Sequence, residues 1–296
     1  MNTSATSALA AGDEIALERA FAALPMLGSI AQWQITPLAG GHANRTFKLA
    51  GPDSALALRV PVEDTRSLGV DRGGERAAIE VAANAGLAPA LLSFDDATGL
   101  MLSQYLEGRQ WSRADAHDAG CVERLAGRLR VLHQVEPPAA ARRLDYTTLI
   151  ADYRRRLDSR PSVGQRVSAA LDSAADRRLA ALAATPRPKS LCHNDVHHRN
   201  VIDGKSLWLI DWEYAAIGDA LYDLASFACY HDLDTAERLH WLTAYAPREA
   251  KRLQRRFDDY CWLFDYMHAL WLELTATDTA ERDRLLERLA LNAREA

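Results

Sequence analysis

The sequence of 296 residues is poor in cysteine, and its few cysteines are not spaced as a metal or redox site. Cys121, Cys192, Cys229 and Cys261 lie far apart and form no CxxC pair. This spacing argues against a zinc ribbon and against a redox dithiol. We therefore expect reduced thiols in the core of a cytoplasmic protein.

Long apolar runs and an excess of basic residues are also missing. No uninterrupted apolar stretch is long enough for a membrane span, and the first residues, MNTSATSALAAGDE, lack the basic segment of a signal peptide. With 35 Lys and Arg against 40 Asp and Glu, the net charge is −5, so no basic surface for nucleic acid or an anionic membrane is expected. A small molecule is the expected partner, and the sequence does not indicate an oligomeric state.

Short strand patterns, separated by glycine, proline and aspartate, fill the first hundred residues. They are WQITPL (33–38), NRTFKL (44–49), ALALRV (55–60), PALLSF (89–94) and LMLSQYL (100–106). Between the third and fourth patterns, residues 71–86 have helical spacing and end at a glycine. The predicted order is three strands, one helix and two strands.

Helical patterns dominate the rest of the chain, with one polar hairpin between them. They cover residues 114–133, 149–182 and about 218 to the end, and the hairpin is NVI, DGKS and LWLID with an Asp-Gly turn. The predicted fold is α+β with two lobes. A flexible or helical lead-in covers residues 1–28, a small lobe with an antiparallel sheet and one helix covers 29–105, and a larger, mainly helical lobe covers 106–296.

The most polar stretch of the chain is LCHNDVHHRNVI (191–202). Its spacing reads His193-x-Asp195-x4-Asn200, and it is followed by the apolar LWLI and by Asp211 in IDWEY. An aspartate in such a loop can accept a hydroxyl proton or orient a nucleophile, while asparagine and aspartate oxygens suit Mg²⁺ beside transferring phosphates. The order and the hairpin spacing favour phosphoryl transfer.

The first lobe contains candidate phosphate-binding residues. Gly40 and Gly41 lie in a turn where backbone N–H groups can approach phosphate oxygens, although a plain hairpin turn has the same pattern. Arg59 ends the third strand between apolar neighbours, where a cation can reach phosphates and pair with an acid on the next helix. Glu75 is the first candidate for that acid and Glu80 the second. A surface cation is the alternative for Arg59.

Two other features allow a second interpretation. His193, Asp195 and His197 form HxDxH, which in another fold binds zinc or iron, but such a site needs neither the asparagine nor the strand that follow. Aromatic residues crowd one late helical segment, where they suit either a quaternary ammonium or thiazolium cation or a helix core. They are Tyr260, Trp262, Phe264, Tyr266 and Trp271. Asp219, in GDALYDLA, can cap a helix or bind a substrate amine.

Several segments together resemble the choline/ethanolamine kinases and thiamine kinases, within the aminoglycoside-phosphotransferase-like branch of the protein-kinase fold. They are GGHANRTFKL, LRVP, GVDRGGERAAIE, SQYLEG, LHQVEPP, LCHNDVHHRNVI and LIDWEYAAIGDALYDLA, within about Trp33 to Trp271. The resemblance implies that ATP and Mg²⁺ are used to phosphorylate a small, cationic alcohol. Choline or ethanolamine is the first candidate, thiamine the second, and aminoglycosides or sugars the third. A nucleotide-binding sensor without turnover is the alternative from another class.

The resemblance also implies roles for single residues. Asp195 becomes the catalytic base, with Asn200 and Asp211 as catalytic metal ligands, and Arg59 becomes the phosphate-contacting cation paired with Glu75. The implied nucleotide-binding set is Gly40, Gly41, Asn44, Arg59, Glu75, Gln104, Tyr105 and Leu106. The implied substrate set is Asp195, His197, Glu213, Asp219, Trp262, Tyr266 and Trp271. The chain departs from the protein-kinase pattern in having arginine for lysine at Arg59 and in lacking a full GxGxxG loop.

Overall fold

The computed structural model describes residues 11–38, 44–52, 54–61, 71–159 and 167–292. In the first part of the chain the elements are α1 (Ala11–Ala23), β1 (Gln34–Leu38), β2 (Asn44–Ala50), β3 (Ala55–Pro61), α2 (Arg72–Asn84), β4 (Leu91–Phe94), β5 (Met101–Gln104) and β6 (Gly108–Gln110). From β1 to β5, the predicted order of three strands, one helix and two strands is confirmed.

The second part of the chain is mainly helical, as predicted. Its elements are α3 (Ala119–Gln134), α4 (Tyr146–Asp158), α5 (Ala169–Ala184), β7 (Ser190–Cys192), β8 (Val201–Gly204), β9 (Leu207–Leu209), β10 (Ala216–Gly218), α6 (Leu221–Tyr230), α7 (Thr235–Tyr245), α8 (Ala250–Thr275) and α9 (Thr279–Asn292). The pattern over 149–182 corresponds to two helices, α4 and α5, and β8 with β9 is the predicted hairpin. None of the described helices combines the length and the apolar character needed to cross a membrane.

The chain divides into two compact units, with boundaries that differ from the predicted lobes. The first unit comprises Met1–Arg109, Pro138–Ala141 and Ile202–Tyr214, and the second comprises Gln110–Pro137, Arg142–Val201 and Ala215–Ala296. The polar hairpin thus groups with the strand-rich unit, although the sequence places it among helices.

The first unit is built on a five-stranded antiparallel sheet in the order β1-β2-β3-β5-β4. Alternate side chains such as Phe47 and Leu49 of β2 are fully buried, as expected for strands with one face in the core. Helix α1 adds Leu17 and Phe21 to the same apolar cluster. Each such burial contributes about 2 kcal/mol, so α1 is part of this core and not only a lead-in.

Helix α2 sets the position of the acid predicted to pair with Arg59. The Asp71 side chain accepts a hydrogen bond from the Gly74 amide at 3.1 Å and so caps the helix. After the last turn, Gly86 has a φ of 69°, in the left-handed region that glycine adopts without strain. Glu75 therefore lies in the first helical turn, where it is buried.

The second unit consists of α3 to α9 and a short antiparallel pair, β7 with β10. Strand β7 leads directly into the polar stretch that contains Asp195. Helix α6 is apolar on nearly every face, and Leu224, Phe227 and Ala228 are fully buried. Such a helix must lie inside the unit, so its few polar side chains are placed in the core beside the strand β7.

Candidate active site

The loop after β7 is fastened by a buried carboxylate. Asp223 of α6 accepts hydrogen bonds from the backbone amides of His193 (2.9 Å) and Asn194 (2.6 Å). Its Oδ2 also lies 3.0 Å from Nε2 of His133. Asn194 has a φ of 65°, which bends the chain sharply before Asp195. Asp223 thus fastens the loop that carries Asp195.

Both carboxylate oxygens of Asp195 have hydrogen-bonding neighbours. Tyr230 donates its hydroxyl hydrogen to Oδ1 at 2.9 Å, and Nδ2 of Asn200 donates to Oδ2 at 3.0 Å. Nε2 of His197 lies 3.4 Å from Oδ2. Burial by itself would raise the pKa of Asp195, but the hydrogen bond and charge of His197, with further help from His193 and Tyr230, lower it to about 2. Asp195 is therefore ionised at neutral pH.

A second buried histidine holds the short helical turn that carries Asn200. Nδ1–H of His231 donates to the Phe227 carbonyl at 2.7 Å, so its Nε2 is free of hydrogen and accepts from the backbone amide of His198 at 3.3 Å. Nδ1 of His198 also lies 3.0 Å from that Nε2. Burial lowers the pKa of His231 to about 4. The turn is thus anchored by a neutral imidazole.

The alternative metal site HxDxH does not form as the spacing suggested. Nδ1 of His193 accepts a hydrogen bond from the Asp195 amide at 3.3 Å. Among the described residues, the group whose ligand atoms converge within 4.8 Å is a different one, His133 with Cys192 and Asp223. The oxygens of Asp223 in that group already accept two backbone N–H groups, so we interpret it as a structural cluster.

One face of α8 lies close to the Asp195 loop. Ring centroids of Phe264 and His268 are 5.0 and 5.7 Å from that of Tyr230, the residue that donates to Asp195. Trp271 follows on the same face, with its ring 6.2 Å from His268. Of the aromatic residues predicted to contact substrate, Trp271 is the one that this face carries.

Trp262 and Tyr266 belong to the opposite face of α8, because residues advance by about 100° each along a helix. Their rings stack on each other at 5.5 Å, and the guanidinium of Arg178 lies 4.3 Å above the ring of Trp262. The Tyr266 hydroxyl donates to Asp172 at 2.5 Å and accepts from Arg154 at 2.7 Å. Trp262 and Tyr266 therefore pack within the protein. This agrees with the helix-core interpretation of these aromatic residues and not with substrate binding.

Asp219 lies two residues before the first residue of α6 and binds the first amide of that helix, which is close to the capping role that the sequence offered as one of two. Its Oδ1 accepts from the Leu221 amide at 3.1 Å. Its Oδ2 accepts two hydrogen bonds from Arg256, at 2.7 and 3.0 Å. Asp219 is 1% exposed. Both of its carboxylate oxygens thus have partners within the protein core, and no contact supports a role in substrate binding.

In the first unit, Arg59 and Glu75 form the predicted ion pair. Nη1 of Arg59 donates to Oε1 of Glu75 at 2.5 Å, and both residues are buried. Burial would lower the pKa of Arg59, but the charge and hydrogen bond of Glu75 raise it overall. Glu80, the second candidate, pairs instead with Arg76 at the surface. The pairing with Glu75 is confirmed, while the contact with phosphate stays a prediction.

A second arginine, which the sequence analysis missed, shares the same carboxylate. Nη1 of Arg72 donates to Oε2 of Glu75 at 2.6 Å. Gly99 supports both cations: its carbonyl accepts from Arg59 at 3.2 Å, and a Cβ at this position would lie 2.6 Å from Nε of Arg72. The i, i+3 spacing of Arg72 and Glu75 on a helix was the available signal.

The acids of the hairpin lie beside these arginines. Asp211 has a φ of 63°, and its Oδ1 is 4.0 Å from Nη1 of Arg59. Oε2 of Glu213 is 3.6 Å from Nη1 of Arg72 and 3.5 Å from Nδ2 of Asn44. Burial and the charge of Asp211 raise the pKa of Glu213 to about 7. Four predicted site residues, Asn44, Arg59, Asp211 and Glu213, are therefore brought together.

The remaining nucleotide-binding predictions stay predictions. Gly40 and Gly41 lie outside the described residues. Gln104 ends β5 and is exposed, and the Tyr105 amide donates to the Ala55 carbonyl at 3.0 Å. Leu106 is half-buried. This segment therefore continues the hydrogen bonding of the sheet beyond its last strand.

The antiparallel sheet with its helix and buried Arg–Glu pair, and the helical unit with its Asp–Asn loop, define a protein-kinase-like fold. The chain belongs to the phosphotransferase enzyme family, whose model matches residues 34–270. The predicted fold class and the family resemblance are thus confirmed.

Solved structures and a curated relative extend this assignment. A choline/ethanolamine kinase family protein from Mesorhizobium loti is 28% identical, with a TM-score of 0.78 over 95% of this chain and 94% of that chain. The choline kinase LicA from Streptococcus pneumoniae is 18% identical, with a TM-score of 0.78 over 97% and 100%; LicA has also been solved with AMP. Probable choline kinase 2 of Arabidopsis thaliana is 24% identical over 76% of this chain and 66% of its own length. The chain thus spans about two thirds of that relative.

Proposed function

We propose that this protein transfers the γ-phosphate of ATP to the hydroxyl of a small cationic alcohol, with choline or ethanolamine as the first candidates. The observation that carries the proposal is the Asp195 carboxylate, ionised and held by Tyr230 and Asn200 on a loop fastened by Asp223. Choline and ethanolamine are named first because they occur in the names of the similar proteins. Thiamine is the second candidate.

Asp195 binds and orients the attacking hydroxyl in this mechanism. A carboxylate with a pKa of about 2 is a weak base, so it holds the hydroxyl in line and takes the proton late, as the bond to phosphorus forms. Its hydrogen bonds from Tyr230 and Asn200 keep the oxygen lone pairs in fixed directions. Positioning of this kind, together with electrostatic stabilisation of the phosphates, supplies most of the catalysis in phosphoryl transfer.

Arg59 supplies positive charge for the phosphates of ATP. Its pairing with Glu75 fixes the guanidinium, and the arginine keeps its charge at any pH the protein meets. The other members of the proposed nucleotide-binding set are Gly40, Gly41, Asn44, Gln104, Tyr105 and Leu106. The AMP bound by LicA supports nucleotide use in this family.

Mg²⁺ is the metal that the donor atoms fit. Nδ2 of Asn200 donates to Asp195, which leaves its amide oxygen for a cation, and Asp211 offers a carboxylate that is partly exposed. Hard oxygen donors of this kind suit Mg²⁺ and not zinc. We propose Asn200 and Asp211 as its ligands. When bound, Mg²⁺ would neutralise the charge of the phosphates.

Replacement of Asp195 tests the proposal directly. Asp195→Asn keeps the size and most hydrogen bonds but cannot accept the proton, so kcat should fall about 10²- to 10⁴-fold, with little change in the KM for ATP. ATP consumption is measured with choline, ethanolamine, thiamine and aminosugars. Asp176→Asn, on the exposed surface of α5, is the matched control and should keep full activity. An Asp195→Asn enzyme with most of its kcat would contradict the assigned role.

A nucleotide sensor without turnover is the second candidate. It would bind Mg-ATP measurably and consume none with any alcohol of the panel. The ionised Asp195 argues against a sensor, because a protein that only binds nucleotide does not need a carboxylate oriented for proton acceptance. Calorimetric titration with ATP beside the activity panel separates the two.

A further inference from the structure

His268 is a single polar ring on the aromatic face of α8 near Asp195. It lies between Phe264 and Trp271, with ring centroids 5.9 and 6.2 Å away, and its ring meets that of Tyr230 at 5.7 Å. The neighbours of His268 in this group, Tyr230, Phe264 and Trp271, contribute the faces of aromatic rings. The imidazole is thus a hydrogen-bonding group in otherwise apolar surroundings.

The nitrogens of His268 make no hydrogen bond to any residue that the structure describes, in contrast to His193, His198 and His231 in the same unit. Burial lowers its pKa to about 4, although the charge of Asp195 acts in the opposite direction. The ring is therefore neutral at pH 7, with one nitrogen that donates and one that accepts. His268 is partly exposed, so that a ligand can reach it.

His268 and Asp195 are neighbours of the same residue, Tyr230. Tyr230 links the two residues, because its hydroxyl donates to Asp195 and its ring contacts His268. An alcohol whose hydroxyl is held by Asp195 has its next atoms against this surface. A cation a few bonds from the hydroxyl would then meet aromatic faces and one imidazole nitrogen.

We propose that His268 accepts a hydrogen bond from the ammonium N–H of the substrate, and that the enzyme therefore prefers a primary amino alcohol to a quaternary one. This rests on the proposed function. A quaternary ammonium has no N–H and would leave the imidazole nitrogen covered and unpaired, which disfavours that substrate. The aromatic rings attract both cations, so the discrimination comes from His268.

The test compares kcat/KM for ethanolamine and choline in the full-length protein and in two variants. The wild type should prefer ethanolamine, and His268→Phe should lower the ethanolamine-to-choline ratio at least about tenfold, because the hydrogen bond to a charged group is lost. His268→Gln, which retains an acceptor, should keep part of the preference. His240→Phe, at an exposed histidine of α7, is the control and should leave the ratio unchanged. A wild type that prefers choline, or a ratio that His268→Phe does not move, would overturn the proposal.

A binding measurement gives an independent readout. In protein labelled with ¹⁵N-histidine, ethanolamine should shift the acceptor nitrogen of His268, assigned through His268→Gln, and choline should not. Turnover of both alcohols with no such shift overturns the specificity proposal and leaves the kinase activity standing. A shift with ethanolamine in a protein that turns over no alcohol supports His268 as the ammonium contact and overturns the proposed activity.

Discussion

The two units contain polar clusters that are stabilised in different ways. In the first, Arg59 and Arg72 share Glu75 in a buried network of charges. In the second, Asp195 accepts hydrogen bonds from the neutral side chains of Tyr230 and Asn200, and His231 anchors the adjoining turn without a charge. The first cluster therefore depends on charge balance and the second on the direction of hydrogen bonds.

The largest effect is expected from the centre of the first cluster. Glu75→Ala leaves two arginines buried without their shared anion, and the free energy of unfolding should fall by about 3 to 5 kcal/mol. Urea denaturation measures it. Glu80→Ala, on the same helix in an exposed pair with Arg76, should cost less than about 1 kcal/mol. Equal losses in the two variants would mean that the buried charges are not balanced by Glu75.

The second cluster should respond most strongly at Asp223. Asp223→Asn replaces one acceptor oxygen by an NH₂ group that faces a backbone N–H, so about 2 to 3 kcal/mol of stability should be lost. Because the loop of Asp195 loosens, kcat should fall more than the KM for ATP rises. Asp118→Asn, at the exposed N-cap of α3, is the control, since asparagine caps equally well. An unchanged kcat in Asp223→Asn would show that the loop keeps its geometry without this carboxylate.

Many elements of the two units were predictable from the sequence. The elements and contacts that were not predicted have physical reasons. Strand alternation, the Asp-Gly turn and the helical spacing of residues 71–86 are local signals, and they predicted the sheet, the hairpin and the helix on which Glu75 meets Arg59. Strands β6, β7 and β10 have three residues each, which is too short for a periodic signal. The partners of Asp195 come from tertiary packing. The one sequence signal for Tyr230 was its spacing. It lies seven residues, or about two helical turns, after Asp223 and therefore on the same face of the helix.

The neutral state of His231 predicts a pH dependence of the second cluster. Its folded pKa of about 4 lies below the ordinary value of 6.5, so the unfolded chain binds the proton more readily. The contribution is fully present above pH 6.5 and is lost as the pH falls toward 4. Between pH 6.5 and 5.5, His231 should account for about 1 kcal/mol of lost stability. Urea denaturation at both values measures it; His231→Gln should remove this slope, whereas His240→Gln at the surface should not. An unaltered slope in His231→Gln would assign the pH effect to other groups.

The smallest effect is expected on the face of α8 that carries Tyr266. Tyr266→Phe removes a hydroxyl that bridges Asp172 and Arg154, so unfolding should become easier by about 1 kcal/mol. The KM for the alcohol and kcat should stay within about twofold of the wild-type values, because this face is turned away from His268 and Tyr230. A raised KM for the alcohol in Tyr266→Phe would place the hydroxyl at the substrate and would contradict the division of α8 into a packing face and a substrate face.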